Sequence, residues 1–179
     1  MKTILFVARL ALTLLAITAV VAVALAGVNM ITAPAIAELN AQNTQAAIEA
    51  VLPGGGEELA DFPAVDLVSK VYASDAGYAV QVTPGGFDNT ITMMVGVDKA
   101  GNVLGIDVVS HTETAGLGAV SDADTPAGIS FREQFIGAAG SVAVTKDGGQ
   151  MDAITGATIT SRAVCAGVNA ALECVAQMG

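Results

Sequence analysis

The stretch Ile91-Thr92-Met93-Met94-Val95-Gly96-Val97-Asp98-Lys99-Ala100-Gly101-Asn102-Val103-Leu104-Gly105-Ile106-Asp107-Val108 decides the fold. Ile91, Met93, Val95 and Val97 recur at every second position, which puts them on one side of a half-buried strand. Asp98 to Asn102 is rich in turn formers, and Leu104, Ile106 and Val108 resume the alternation. Two such strands joined by so short a turn pair as an antiparallel hairpin. Upstream, Tyr78, Val80 and Val82 alternate before a Pro84-Gly85-Gly86 turn, and Val65 to Tyr72 reads as a first short strand after a loop over 57–63. The centre of the chain is therefore a largely antiparallel sheet.

Helical periods flank it. Val164, Val168, Ala171, Leu172 and Val175 form an i, i+4, i+7, i+8, i+11 stripe, the apolar face of a helix packed on the sheet. Phe131, Phe135 and Ile136 read as one face of a short helix closed by Gly137, and Val142 with Val144 as a further short strand. Cys165 and Cys174 are nine apart on the last helix, on opposite faces at about 100° per residue, so they cannot bridge each other there. Both read as small buried hydrophobes, as do Met93 and Met94.

Working towards the N-terminus, no charged residue lies between Leu10 and Ala37, a run long enough to cross a bilayer as a helix. Ala24-Leu25-Ala26 offers a signal-peptide cleavage site as the competing reading, but the apolar run continues beyond it through Val28, Met30 and Ile31. With Lys2 and Arg9 at its start and an acidic body after it, the positive-inside rule puts the N-terminus in the cytoplasm and the body outside. The expected fold class is α+β: one N-terminal transmembrane helix, then a single domain with a largely antiparallel sheet flanked by helices. The expected divisions are a cytoplasmic N-terminus over 1–9, the transmembrane helix over 10–34, an amphipathic helix and linker over 35–63, and an extracytoplasmic domain over 64–179.

All seventeen acidic residues follow the apolar run, against five of the seven basic ones. Such a body lacks the basic patches that nucleic acid or an anionic surface requires. There is no Walker loop, no GxGxxG after a strand, no GxSxG elbow and no Cys/His metal pattern.

Two segments remain. Asp152-Ala153-Ile154-Thr155-Gly156-Ala157-Thr158-Ile159-Thr160-Ser161 leads into the last helix. A helix start offers unpaired N–H groups and the positive end of the dipole, which suits a phosphate, while Gly156 and Ala157 leave room for it and the hydroxyls offer donors or points of esterification. The same residues also serve as an ordinary N-cap with no ligand. Ser110-His111-Thr112-Glu113-Thr114-Ala115-Gly116-Leu117-Gly118 follows a strand and is polar and glycine-bearing; it carries a site or merely connects two elements. Lys146, just before Asp147-Gly148-Gly149, is a phosphate partner or a solvated lysine.

Asp152-x-x-Thr155-Gly156-Ala157-Thr158 resembles the flavinylation motif of the FMN-binding domains of the G subunit of Rnf-type electron transport complexes and the C subunit of the sodium-pumping NADH:quinone reductase. His111-Thr112-Glu113-Thr114-Ala115-Gly116-Leu117-Gly118 is similar to that family's His-x-Glu-Thr-Pro-Gly-Leu-Gly loop, with Ala115 in place of the proline, and Gln134-Phe135 also matches its pattern. The resemblance runs from the membrane helix to the last helix and is to the Rnf G subunit; the quinone-reductase subunit is usually longer. It implies FMN joined through its phosphate to Thr158, with Asp152, Thr155, Gly156 and Ala157 around the attachment, Glu113, Thr114, Leu117 and Gly118 against the flavin, and Lys146 near the flavin or its phosphate. It further implies an electron-relay subunit in ferredoxin:NAD oxidoreduction coupled to sodium or proton transport, with no catalytic residue or metal of its own. The implied partners are the other membrane and peripheral Rnf subunits and a flavin transferase for maturation. A membrane-tethered binding domain without redox chemistry is the alternative from another class.

Overall fold

A computed structural model describes the backbone of residues 2–179 and the side chains from Phe6 onward; Met1 and the side chain of Lys2, one of the two expected flanking charges, lie outside the described residues. The chain forms two compact units, 1–42 and 43–179. In the first, helix α1 (Lys2–Val51) contains the apolar run, and every described side chain from Phe6 to Gln42 is exposed. Among the described residues this helix is long and apolar enough to cross a membrane. Its residues 43–51 belong to the second unit. Helical structure runs unbroken through the expected membrane and amphipathic segments, and Pro34 is accommodated within it.

The second unit is built on five strands, β1 (Glu57–Glu58), β2 (Val68–Ala73), β3 (Gly77–Val82), β4 (Thr92–Asp98) and β5 (Val103–Ser110), in the spatial order β1-β2-β3-β4-β5. Every neighbouring pair is antiparallel. Two helices follow, α2 (Pro126–Glu133) and α3 (Thr158–Met178). The architecture is thus α+β, with an N-terminal apolar helix.

The sheet is covered on both faces. Val71, Val80, Val82, Met93, Val95, Val97, Ile106 and Val108 form one core with Phe131, Phe135 and the α3 stripe Val164, Val168, Ala171, Leu172 and Val175. On the other face, Ala47, Ile48, Val51 and Leu52 pack with Tyr72, Ala79 and Met94. This second layer explains Gly96: a Cβ there would collide with the Val51 carbonyl oxygen, so only glycine lets the helix end close on β4.

Three expectations about the strands are corrected. Glu57 and Glu58, read as loop, pair with Tyr72 and Ala73 as an edge strand, and the next strand starts at Val68 rather than Val65. Leu104, read as sharing a face with Ile106 and Val108, packs against the opposite core. The register shifts at Gly96/Val97, where Gly96 faces Gly105 but Val97 faces Val103, so Val103 takes the inward place. Val142 and Val144 form no full strand; Val144 makes an isolated bridge to Met151.

The Phe131 and Phe135 rings meet edge to face at 5.5 Å, with Thr125 capping α2 through the Gly128 N–H; Ile136, expected on the same face, is exposed. Cys165 and Cys174 are both free and both buried in one core, although their directions differ by half a turn. The reason is that α3 is enclosed on two sides. The sheet covers one, and the 138–151 segment lies over another, pinned by Asn169, which accepts from the Val142 N–H at 2.8 Å and donates to its carbonyl at 2.9 Å.

Candidate functional site

A half-open cavity of about 260 Å³ lies at the start of α3, lined by Phe87, Glu113, Thr114, Leu117, Gly118, Lys146 and residues 156–160. Four segments meet there, from the β3–β4 turn, the stretch after β5, the turn bearing Lys146 and the start of α3. Of the residues singled out in the sequence, Glu113, Thr114, Leu117, Gly118, Lys146, Gly156, Ala157 and Thr158 share this one cavity. Asp152 and Thr155 line an adjacent hollow with Gln134 and Ile154 instead. Asp152 is tied to α2's end through its backbone: its N–H donates to Gln134 Oε1 at 2.7 Å and its carbonyl accepts from Gln134 Nε2 at 3.3 Å.

The geometry weighs against an ordinary hydroxyl cap. The N-cap residue is Ala157, which supplies no side-chain hydrogen bond, and Thr155 is exposed. Ser161 is occupied inside the turn, accepting from the Ile154 N–H and donating to the Ala157 carbonyl, both at 3.0 Å. The leading N–H groups of α3 have no intrahelical acceptor by helix geometry. Gly156 sits at φ +80°, and a Cβ there would come within 2.9 Å of Leu117 Cδ2. Both facts keep the approach to Thr158 clear.

Lys146 Nζ donates to Thr158 Oγ1 at 3.2 Å. Lys146 belongs to a single 3-10 turn (Thr145–Asp147), and its neighbour Asp147 takes a two-point bond from Arg162, Nε to Oδ2 and NH2 to Oδ1, each 2.7 Å. Hydrogen bonding from Arg162, with its charge, holds the Asp147 carboxyl below the usual range. Arg162, one turn along α3 from Thr158, is thus already partnered.

Glu113 is buried and fully engaged. Oε2 accepts from the Thr160 hydroxyl at 2.6 Å, and Oε1 from the Phe87 N–H at 2.7 Å and the Asp88 N–H at 3.4 Å. Its own N–H donates to His111 Nδ1 at 3.1 Å. A Cβ on Gly118 would strike Glu113 Oε2, so the glycine admits the carboxylate. Sequence reasoning gave Glu113 a place against the ligand; its hydrogen bonds make it the staple of the cavity wall. Phe87 and Ile159 were missed. The available signal was an aromatic residue in a polar turn, Phe87 directly after Pro84-Gly85-Gly86, and the structure leaves it 67% exposed.

Phosphate and flavin requirements are met by these residues. Lys146 meets the Thr158 hydroxyl at the helix start, and Phe87, Leu117 and Ile159 offer exposed apolar surface for an aromatic ring system in the same cavity. The cavity is half-open and smaller than the roughly 300–1,000 Å³ of an enclosing ligand pocket.

The polar anchor at the helix start and the open apolar cleft beside it fit a phosphate-bearing aromatic ligand, and residues 86–173 match the family model described as FMN-binding domain. More particularly, the chain belongs to the G-subunit family of ion-translocating oxidoreductase complexes. It is 34% identical to the G subunit of the Na(+)-translocating ferredoxin:NAD(+) oxidoreductase complex of Acetobacterium woodii, over 92% of this chain and 89% of that protein. It is 35% identical to the G subunit of the ion-translocating oxidoreductase complex of Stutzerimonas stutzeri, over 91% and 78%. The corresponding G subunit of Vibrio vulnificus is 41% identical over 52% of this chain and 46% of its own length. The cofactor of the present chain is FMN, and the exposed apolar helix of the first unit gives it a membrane location.

Proposed function

We propose that this chain is the membrane-anchored redox subunit of an Rnf-type complex, carrying FMN as a phosphate ester of Thr158 and relaying electrons in ferredoxin:NAD oxidoreduction coupled to sodium or proton transport. The observation that carries this reading is the Thr158 hydroxyl, half-buried in the cavity and met by Lys146 at 3.2 Å. Bound there, FMN supplies the electron-carrying chemistry that no side chain of the domain has.

The chain's own residues attach, orient and shield. Thr158 provides the ester oxygen, and Lys146 with the first N–H groups of α3 neutralises the phosphoryl charge. Phe87, Leu117 and Ile159 supply apolar contact for the ring, and Glu113 fixes the wall that Thr114 and Gly118 complete. Gly156 and Ala157 leave the ester room, while Asp152 and Thr155 hold the approach to the helix. A covalent tether makes occupancy independent of free FMN, an advantage for a domain facing a dilute compartment.

In this reading residues 1–9 lie in the cytoplasm, 10–34 cross the membrane once, 35–63 link, and 64–179 form the extracytoplasmic domain. Arg9 at the membrane helix's start and the acidic body support that orientation. The other Rnf membrane and peripheral subunits are its electron partners, a flavin transferase installs the FMN, and no activity is expected of the chain alone. Denaturing-gel fluorescence of the chain co-expressed with a flavin transferase tests the assignment. A flavin band for the wild type that is absent from Thr158→Ala is expected; a band surviving in Thr158→Ala rejects the site.

A further inference from the structure

The Thr145–Asp147 turn and the start of α3 touch through two side-by-side contacts. Lys146 meets Thr158, and Asp147 meets Arg162. Thr158 and Arg162 are i and i+4 on one helix face, while Lys146 and Asp147 are consecutive on the turn. We infer that the Asp147–Arg162 pair is a positioning device whose task is to set the Lys146 amine against the Thr158 oxygen, and so to hold the phosphoryl group attached there in one arrangement. This rests on the phosphate ester proposed above.

Three features separate this pair from an incidental surface bridge. Its geometry is the two-point fork in which guanidinium matches carboxylate, whereas Lys70 meets Glu58 through one contact at 2.9 Å. The turn's backbone is already closed on itself: the Asp147 and Gly149 N–H groups both donate to the Val144 carbonyl and the Gly148 N–H to that of Thr145. The fork therefore has little left to stabilise within the turn, and what it adds is the distance between turn and helix. Finally, a lysine side chain has several rotatable bonds and would otherwise spread its amine over a wide volume, since Lys146 is exposed and has no carboxylate partner of its own within bridging distance among the described residues. With Arg162 neutralising Asp147, the Lys146 charge is left for the phosphoryl oxygens rather than for its neighbour.

The test uses the full chain in detergent, flavinylated by co-expression with a flavin transferase, with attachment checked first by intact mass. Phosphorus NMR of the ester and fluorescence anisotropy of the flavin are then read for Lys146→Met, Asp147→Asn, the double variant, and the exchanged pair Asp147→Arg/Arg162→Asp. Lys146→Met is expected to shift the phosphorus resonance and lower the anisotropy. Asp147→Asn should move both in the same direction, the double variant no further than Lys146→Met alone, and the exchanged pair back to wild-type values. If Asp147→Asn blocks attachment, Lys146→Met must block it too and the exchange restore it. Wild-type readouts in Asp147→Asn beside a shift in Lys146→Met, additive effects in the double variant, or no effect of Lys146→Met overturn the inference while leaving the ester at Thr158 standing. A wild type without FMN overturns the ester and the inference together.

Discussion

The Thr160 hydroxyl donates a 2.6 Å hydrogen bond to Glu113 Oε2, joining the first turn of α3 to a loop 47 residues earlier in the chain. Since Oε1 of the same carboxylate takes the Phe87 N–H, one buried side chain joins three of the segments that make the cavity.

Removing that staple should therefore cost stability as well as cofactor. Glu113→Ala leaves the Thr160 hydroxyl and the Phe87 N–H without acceptors, a loss of about 2–3 kcal/mol for charge-assisted bonds. Glu113→Gln keeps one acceptor oxygen and should lose less. Denaturant unfolding of the full chain in detergent measures both; an unchanged midpoint for Glu113→Ala contradicts the staple.

Gly156→Ala places a Cβ at φ +80° and within 2.9 Å of Leu117. The left-handed backbone alone costs roughly 1 kcal/mol for a non-glycine residue. Relief comes most readily by moving the turn that presents Thr158. Flavin attachment, followed by mass against time, should slow while the fold persists, and attachment at the wild-type rate would contradict this geometry.

The second core layer gives a larger effect. Gly96→Ala sets a Cβ against the Val51 carbonyl oxygen, and backbone cannot yield as a flexible side chain can. A destabilisation of about 2 kcal/mol or more is expected, in the range of overpacked cores. Thermal unfolding of the full chain checks it, with Gly105→Ala as the control: its Cβ would meet Val51 only at 3.9 Å, and it should cost less.

Legibility in the sequence followed burial. Strands β3 and β4 and the α3 stripe could be read because one face of each is wholly apolar, so the period survives in the residues themselves. Glu57-Glu58 could not, because an exposed two-residue edge strand is held by backbone pairing to Tyr72 and Ala73 and leaves no side-chain pattern. Leu104 was assigned to the wrong face because a bulge is a backbone event that alternation does not record. Most candidate residues around Thr158 lie in one cavity, but their division of labour was hidden. Glu113's partners, Phe87 and Thr160, lie 26 residues before it and 47 after it.

Cys165 offers a pH test. Burial, helped by the negative charge of Asp147, pushes its thiol up to about 11 from an ordinary 9.0. The folded chain then holds its proton more tightly than the unfolded chain, so Cys165's effect on stability is nil below about pH 9 and turns unfavourable as pH rises from there to about 11. At pH 8 the upward shift leaves about 100-fold less thiolate than an ordinary cysteine has. Iodoacetamide labelling should accordingly be slow in the native chain and fast in denaturant; rapid native labelling of Cys165 contradicts its burial.

The most direct measurement is fragment-ion mass spectrometry of the tryptic peptide 147–162 from chain matured with a flavin transferase. Thr155, Thr158, Thr160 and Ser161 all lie on that peptide. The expected result is one FMN phosphoester, located on Thr158, and none in Thr158→Ala. An unmodified peptide, or FMN on one of the other three hydroxyls, contradicts the account.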